Sequence, residues 1–214
     1  SMERMDEKMP FLLRYENVAW YENGRVRILD RRVYPAQVRF VECASYREVA
    51  QAVRDMVTQS AGPYTAVGMG MALAAYECRD RSEEEQAAFL EQASRELASA
   101  RPTAANRYAA VTESCRRAAL EALRTGCDPA EAAVRTTVES LNRRYGKMQA
   151  VGDRLAELIP DGGTILTQCF GETIIGTVMR AARRQNKTFR VFCAETRPYL
   201  QGARLTASCF AEMG

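Results

Sequence analysis

The chain has 214 residues, of which 47% are hydrophobic and 27% are charged, a composition typical of a folded globular protein rather than a disordered one. Its 30 basic and 27 acidic residues are interleaved and leave a net charge of +3, so no basic face predicts binding to nucleic acid. No apolar run approaches the roughly 20 residues that a membrane-spanning helix needs, and the charged start is unlike a secretion signal, so we expect a cytoplasmic protein without a membrane partner.

The absence of histidine restricts the chemistry that the chain can perform. It excludes Ser-His and Cys-His nucleophilic pairs and every histidine-ligated metal site. The seven cysteines contain no Cys-x-x-Cys pair, which argues against a disulfide framework or a structural zinc site and fits reduced thiols in the cytosol. We therefore expect no metal, and acid–base chemistry must come from Cys, Asp, Glu, Lys or Tyr.

The first 44 residues predict a small antiparallel β element. Alternating apolar residues after Val18 surround Asn23-Gly24, a pair typical of a two-residue hairpin turn, and residues 39–43 predict one more short strand.

Residues 45–160 predict a helical domain. Capping boxes at Ser45 and Ser82 start two helices, Gly126 ends another, and Asp128-Pro129 starts the last one. The expected helices end near Thr58, Tyr76, Ser99, Arg124 and Leu158.

Residues 161–214 change to an alternation of strand and helix. The pattern predicts strands over 164–168 and 189–194, each followed by a helix, over about 173–185 and 201–213. A parallel sheet of two strands would leave an apolar face uncovered, although parallel sheets are normally buried on both faces. We therefore expect an α/β protein that ends in the first half of a Rossmann-like domain, truncated or completed by a partner.

Cys169 follows the first of these strands and precedes a helix near Thr173. The positive end of a helix dipole stabilises a thiolate, which could act as a base or a nucleophile. A small buried hydrophobic residue, the commonest role of a free cysteine, fits the position equally well. We expect that buried role for the other six cysteines, at positions 43, 78, 115, 127, 193 and 209.

Three other segments contain candidate ligands for a phosphate. Arg101, between two predicted helices, could bind phosphate with parallel hydrogen bonds or tie helix ends together through their carbonyls. Small residues in the segment from Gln59 to Tyr64 would let backbone amides approach an anion at the start of the next helix. A plain turn between helices explains the same residues without a ligand, and we favour it on the residues alone. Gln201 could hydrogen-bond a sugar hydroxyl or a phosphate. For its neighbours we expect a structural ion-pair and capping network of Glu195, Arg197 and Arg204.

Several motifs follow one another along the chain: Val41-Glu42-Cys43 leading to Arg54-Asp55-Met56-Val57, Met71-Ala72-Leu73-Ala74, Arg101-Pro102-Thr103-Ala104-Ala105-Asn106, Ile165-Leu166-Thr167-Gln168-Cys169, and Glu195-Thr196-Arg197-Pro198 with Leu200-Gln201-Gly202-Ala203-Arg204-Leu205-Thr206. Together they resemble the S-methyl-5-thioribose-1-phosphate isomerase family. That family shares its fold with other sugar-phosphate isomerases and with regulatory subunits of the eukaryotic initiation-factor guanine-exchange complex. The resemblance extends from about Val18 to the end of the chain, and its last motif is long and specific.

The resemblance implies a dimeric protein with an N-terminal helical domain and a C-terminal Rossmann-like domain. It implies interconversion of an aldose 1-phosphate and a ketose 1-phosphate in methionine salvage, without a cofactor. Cys169 occupies the position of the catalytic cysteine, and Ser60, Ala61, Arg101 and Gln201 fall where the family grips the sugar phosphate. The acid is an aspartate beyond Gly214, so these 214 residues alone are expected to be inactive.

Two departures from the family pattern support an alternative function. Gln59-Ser60-Ala61-Gly62 stands in place of Arg-Gly-Ala-Pro, and Gln168-Cys169-Phe170-Gly171-Glu172 in place of His-Cys-Asn-Ala-Gly. The alternative is a non-catalytic sugar-phosphate-binding or regulatory subunit like those of the initiation factor. Because a cysteine remains at position 169, we favour the isomerase.

Overall fold

The computed structural model describes residues 3–214, which divide into two compact units. One unit comprises Tyr15–Leu141, and the other comprises residues 3–14 together with 142–214. The structure is mixed α/β, as expected. No helix within the described residues is both long enough and apolar enough to span a membrane.

The unit Tyr15–Leu141 begins with an antiparallel sheet in which the central strand is β2. Its strands are β1 (Ala19–Glu22), β2 (Arg25–Leu29) and β3 (Phe40–Cys43). Asn23 and Gly24 form the turn between β1 and β2 with φ of 48° and 77°, the left-handed conformation that such turns require. The predicted hairpin and third strand are therefore confirmed.

Four complete helices and the start of a fifth follow in this unit: α1 (Tyr46–Arg54), α2 (Gly62–Glu77), α3 (Glu83–Ala98), α4 (Ala105–Thr125) and α5 (Pro129–Leu158). Helix α2 is apolar around almost its whole circumference and packs against α1, α3, α4 and β1. A helix without a polar face belongs in the interior, so α2 forms the centre of this unit.

Side chains at the helix ends confirm most of the predicted boundaries. Ser45 accepts a hydrogen bond from the Glu48 amide, and Ser82 and Glu85 form the complete capping box. The carboxylate of Asp128 accepts a hydrogen bond from the Ala130 amide at 2.9 Å at the start of α5.

Helix α1 ends at Arg54, before the predicted end near Thr58. Met56 adopts a left-handed φ of 61°, and the Val57 amide donates back to the Ala52 carbonyl at 3.0 Å. This is the hydrogen-bond pattern of a Schellman cap, in which glycine is the usual left-handed residue. The sequence signal was missed because a methionine takes that place.

The other unit contains a parallel βαβα arrangement, as predicted. Strand β4 (Gly163–Thr167) pairs with β5 (Phe189–Cys193), with Thr167 opposite Cys193. Helix α6 (Glu172–Arg184) connects the strands, and a π-helical turn (Gly202–Thr206) leads into α7 (Ala207–Met213). Val191 lines a cavity shared with α6 and α7, whereas the opposite face of the sheet leaves Leu166 and Phe192 exposed.

The compact units do not coincide with the three predicted segments 1–44, 45–160 and 161–214. Residues 3–14 group with the βαβα arrangement because the Tyr145 hydroxyl donates to the Leu13 carbonyl at 2.7 Å and Arg180 donates to the Met5 carbonyl at 3.0 Å. The start of the chain is therefore tied to α5 and α6 by contacts that have no local sequence signal. The division into a β element, a helical domain and a partial Rossmann-like domain stays a prediction.

Gly202 permits a close approach of the backbone at the end of β5. A Cβ atom added there would lie 1.7 Å from the Ala194 carbonyl oxygen. We expect Gly202→Ala to lower the free energy of unfolding by about 1–3 kcal/mol, because the two backbone segments must move apart. Urea denaturation measures the change.

The matched control is Gly146→Ala, also in the unit that contains residues 142–214. A Cβ atom on Gly146 meets nothing closer than Met5 Cε at 3.9 Å. Alanine favours the helix at this position, so the control should keep or increase stability by up to about 1 kcal/mol. Equal unfolding midpoints for the two variants would contradict the packing argument.

Candidate functional site

Cys169 lies in the connection between β4 and α6, two residues after the strand ends. Its side chain is exposed, and its backbone φ is 56°. Helix α6 begins three residues later at Glu172 without a side-chain cap at Gly171. The buried role that the sequence left open for this cysteine is therefore excluded, and the thiol is accessible to a ligand.

Two threonines hydrogen-bond the backbone of Cys169 on both sides. The Cys169 amide donates to Thr196 Oγ1 at 2.7 Å, and Thr206 Oγ1 donates to the Cys169 carbonyl at 2.5 Å. Neither residue was predicted to belong to the site. Both lie in the family motif after the second strand, a segment that must lie beside the loop of Cys169 because parallel strands end at the same edge. That motif does not relate either hydroxyl to the cysteine.

The segment after β5 also contains Gln201, which is half-buried and directly precedes the π-helical turn. Arg197 and Glu195 form an ion pair at 3.6 Å, and Arg204 Nε donates to the Tyr199 carbonyl at 3.0 Å. The expected pairing and capping are thus present. The ion pair is solvent-exposed, however, with 85% of the Arg197 side chain accessible, so it contributes little stability.

Arg101 ties together backbone segments of the unit Tyr15–Leu141. Its Nε donates to the Val53 carbonyl at 3.1 Å and its Nη2 to the Thr58 carbonyl at 2.6 Å. Of the two roles open to this arginine, the structure therefore shows the bonding to carbonyls. Burial raises the pKa of the neighbouring Tyr108 hydroxyl, and the Arg101 guanidinium partly offsets that increase.

Ser60 and Ala61 lie on the segment that Arg101 anchors. Ser60 is exposed with a left-handed φ of 57°, and Ala61 directly precedes α2. The structure therefore brings Ser60, Ala61 and Arg101 to one loop, because the carbonyl that Arg101 binds belongs to Thr58. Cys169 and Gln201 belong to the other compact unit.

Burial was predicted for the other six cysteines, and four of them are buried. Cys43, Cys78, Cys115 and Cys209 are buried, and Cys193 is half-buried. The prediction was wrong for Cys127, which is exposed. It follows Gly126, whose left-handed conformation ends α4, and it lines a cavity of about 520 Å³ between the facing ends of α4 and α5. Within residues 3–214, no group of three or more Cys, Asp or Glu side chains is arranged to hold a metal ion.

Sequence comparison connects the chain with a known family. The pattern of the initiation factor 2 subunit family matches residues 60–214. Methylthioribose-1-phosphate isomerase of Thermotoga neapolitana is 36% identical over 208 residues, which cover 91% of this chain and 57% of that protein. The enzyme of the same name from Desulforudis audaxviator is 38% identical over 203 residues, covering 88% and 56%. The chain thus spans little more than half the length of these relatives.

Two solved structures have folds similar to that of this chain. Subunit delta of translation initiation factor eIF-2B from A. fulgidus matches with a TM-score of 0.72 and 28% identity, over 92% of this chain and 59% of that one. The 5-methylthioribose 1-phosphate isomerase of Pyrococcus horikoshii OT3 matches with a TM-score of 0.69 and 26% identity, over 92% and 58%. Both likenesses support the predicted arrangement of a helical domain and a parallel sheet.

The hydrogen bonds of Arg101 to two carbonyls should stabilise the fold even without a ligand. Arg101→Met leaves the Val53 and Thr58 carbonyls without their charged donor, and we expect the free energy of unfolding to fall by about 1–3 kcal/mol. Arg107→Met, on the exposed side of α4, is the control and should change stability by less than about 0.5 kcal/mol. Urea unfolding that is the same for both variants would show that the Arg101 bonds contribute nothing.

Thiol alkylation should separate the cysteines by burial. Burial raises the pKa of Cys43 to about 12 and that of Cys115 to about 11, so their thiolates are scarce at pH 8 and their sulfurs are inaccessible. We expect iodoacetamide to modify Cys169 and Cys127 in the native chain and to modify Cys43 and Cys115 only after unfolding in urea. Peptide mass spectrometry identifies each site, and rapid native modification of Cys43 would refute the burial assignment.

Proposed function

The chain belongs to the initiation factor 2 subunit family, and from this membership and its isomerase relatives we propose that it acts as an aldose–ketose isomerase. The substrate is a pentose 1-phosphate, S-methyl-5-thioribose 1-phosphate or a close analogue, and the product is the ketose 1-phosphate. In this proposal the protein is a cytoplasmic homodimer of methionine salvage that needs no cofactor.

The reaction moves hydrogen between adjacent sugar carbons. The acid protonates the ring oxygen as its bond to C1 breaks, and a base removes the proton from C2 to give an enol. C1 then gains a proton from the base, and the C2 hydroxyl returns its own proton to the acid as it becomes a carbonyl. The proposal assigns the base to the Cys169 thiolate. By the family resemblance, the acid that protonates the ring oxygen is an aspartate.

The observation that carries the proposal is the setting of Cys169. An exposed thiol stands at the carboxyl end of a parallel strand, where ligands of open α/β sheets bind, and its backbone is hydrogen-bonded on both sides. A base must be accessible and fixed in direction to take a proton from carbon, because proton transfer requires close contact between the two groups.

Phosphate binding is assigned to Ser60, Ala61, Arg101 and Gln201. The left-handed backbone at Ser60 is a conformation found in anion-binding loops. At the start of α2 the Gly62 and Tyr64 amides donate to the Gln59 and Ala61 carbonyls, so the assignment of Ala61 rests on the family resemblance. The two carbonyls that Arg101 binds take two of its five N–H groups. Its main contribution in this proposal is therefore to hold the Ser60–Ala61 loop, with direct phosphate contact through its remaining donors.

The test is turnover by the complete product of the gene. Methylthioribose, deoxyribose and ribose 1-phosphates are each supplied, and the ketose 1-phosphate is detected by NMR. We expect Cys169→Ser to reduce kcat by about 10²–10⁴-fold, the usual contribution of a general base. Cys127→Ser, which changes the other exposed thiol, should keep kcat within about twofold of the unmodified protein.

Equal rates for the Cys169→Ser variant and the unmodified protein, or no turnover of any of the three sugars, would refute the proposal. Calorimetric binding of a sugar phosphate without turnover would instead support a regulatory subunit that senses the ligand.

A further inference from the structure

The backbone of Cys169 adopts a conformation that an ordinary side chain disfavours. A non-glycine residue at φ of 56° persists only where its surroundings determine it. The hydrogen bonds that determine it here come from a segment about thirty residues further along the chain, from Thr196 and Thr206. Removal of either hydroxyl should therefore let the backbone at Cys169 relax.

Both threonines are themselves held in place. Thr196 Oγ1 accepts from the Cys169 amide and donates to the Ala194 carbonyl at 3.2 Å. This hydroxyl therefore links the loop after β4 to Ala194, the first residue after β5. Gly202 packs directly against that same carbonyl, since a Cβ there would lie 1.7 Å from its oxygen. Thr206 is fully buried at the end of the π-helical turn, so its hydroxyl has a fixed direction.

We propose that Thr196 and Thr206 are positioning residues that set the direction of the Cys169 thiol for proton transfer. The Thr196 hydroxyl holds the amide side of Cys169 and the Thr206 hydroxyl holds the carbonyl side, so the Cα–Cβ bond has one orientation. We call the two hydrogen bonds that join Thr196 and Thr206 to the Cys169 backbone the clamp. The catalytic part of this inference rests on the proposed isomerase activity, whereas the clamp itself is a property of the 214-residue chain. Neither threonine needs to contact the substrate.

The clamp is tested by hydrogen exchange on the 214-residue chain. In Thr196→Val the Cys169 amide loses its acceptor, and in Thr206→Val the Cys169 carbonyl loses its donor. We expect the Cys169 amide to exchange at least about fivefold faster in both variants, read by NMR. Thr196→Ser and Thr206→Ser retain the hydroxyl and should restore the original rate to within about twofold.

Thr177→Val is the matched control. Thr177 is fully buried like Thr206, whereas Thr196 is half-buried. The Thr177 hydroxyl donates to the Ile174 carbonyl within α6. The control should leave exchange at Cys169 unchanged. Unchanged exchange in both Thr196→Val and Thr206→Val would overturn the clamp, whatever the activity of the protein.

The positioning role is tested by kinetics on the complete gene product. We expect both valine variants to lower kcat about tenfold or more with KM within about twofold, and the serine variants to recover kcat, because the thiol is misdirected while phosphate contacts stay intact. Full kcat in both valine variants would overturn the positioning role and leave the isomerase proposal standing. If the unmodified protein has no activity, the isomerase proposal and the positioning role fail together, and the exchange result still decides the clamp.

Discussion

The hydrogen bond from the Cys169 amide to Thr196 Oγ1 joins the two strand-end loops of the parallel sheet. Strands β4 and β5 bring those loops to one edge, but strand pairing alone does not fix where a side chain in either loop points. This bond and its counterpart from Thr206 do so, because they hold both polar groups of the Cys169 peptide backbone. The role proposed for the direction of the thiol depends on that constraint.

A comparable constraint acts in the unit Tyr15–Leu141, where Arg101 binds the Val53 and Thr58 carbonyls. The first carbonyl belongs to the last turn of α1, where it also accepts from the Met56 amide at 3.3 Å, and the second belongs to the loop before α2. The Arg101 guanidinium thereby binds two carbonyls that lie 48 and 43 residues before it in the chain. The loop with Ser60 and Ala61 obtains its shape from this arginine and from the left-handed turn at Met56.

Prediction from the sequence succeeded where the signal was local. The Asn23-Gly24 turn, the capping box at Ser82 and the start of α5 at Asp128 each depend on a few adjacent residues, and each is present. It failed where a residue took an unusual role: Met56 ends α1 in the place of a glycine, and Cys127 is exposed beyond the end of α4. The candidate site was predicted only in part, because Thr196 and Thr206 have no motif that relates them to Cys169.

The sequence by itself determined the order and type of the elements, the reduced state expected of the thiols and, through its motifs, the family resemblance, since these depend on composition and on neighbouring residues. Only the tertiary structure decided that Cys169 is exposed rather than buried, that Arg101 binds carbonyls, and that residues 3–14 group with 142–214. Each of these outcomes depends on contacts between residues far apart in the chain. Hydrogen bonds and packing at such distances depend on geometry that periodicity and spacing do not encode.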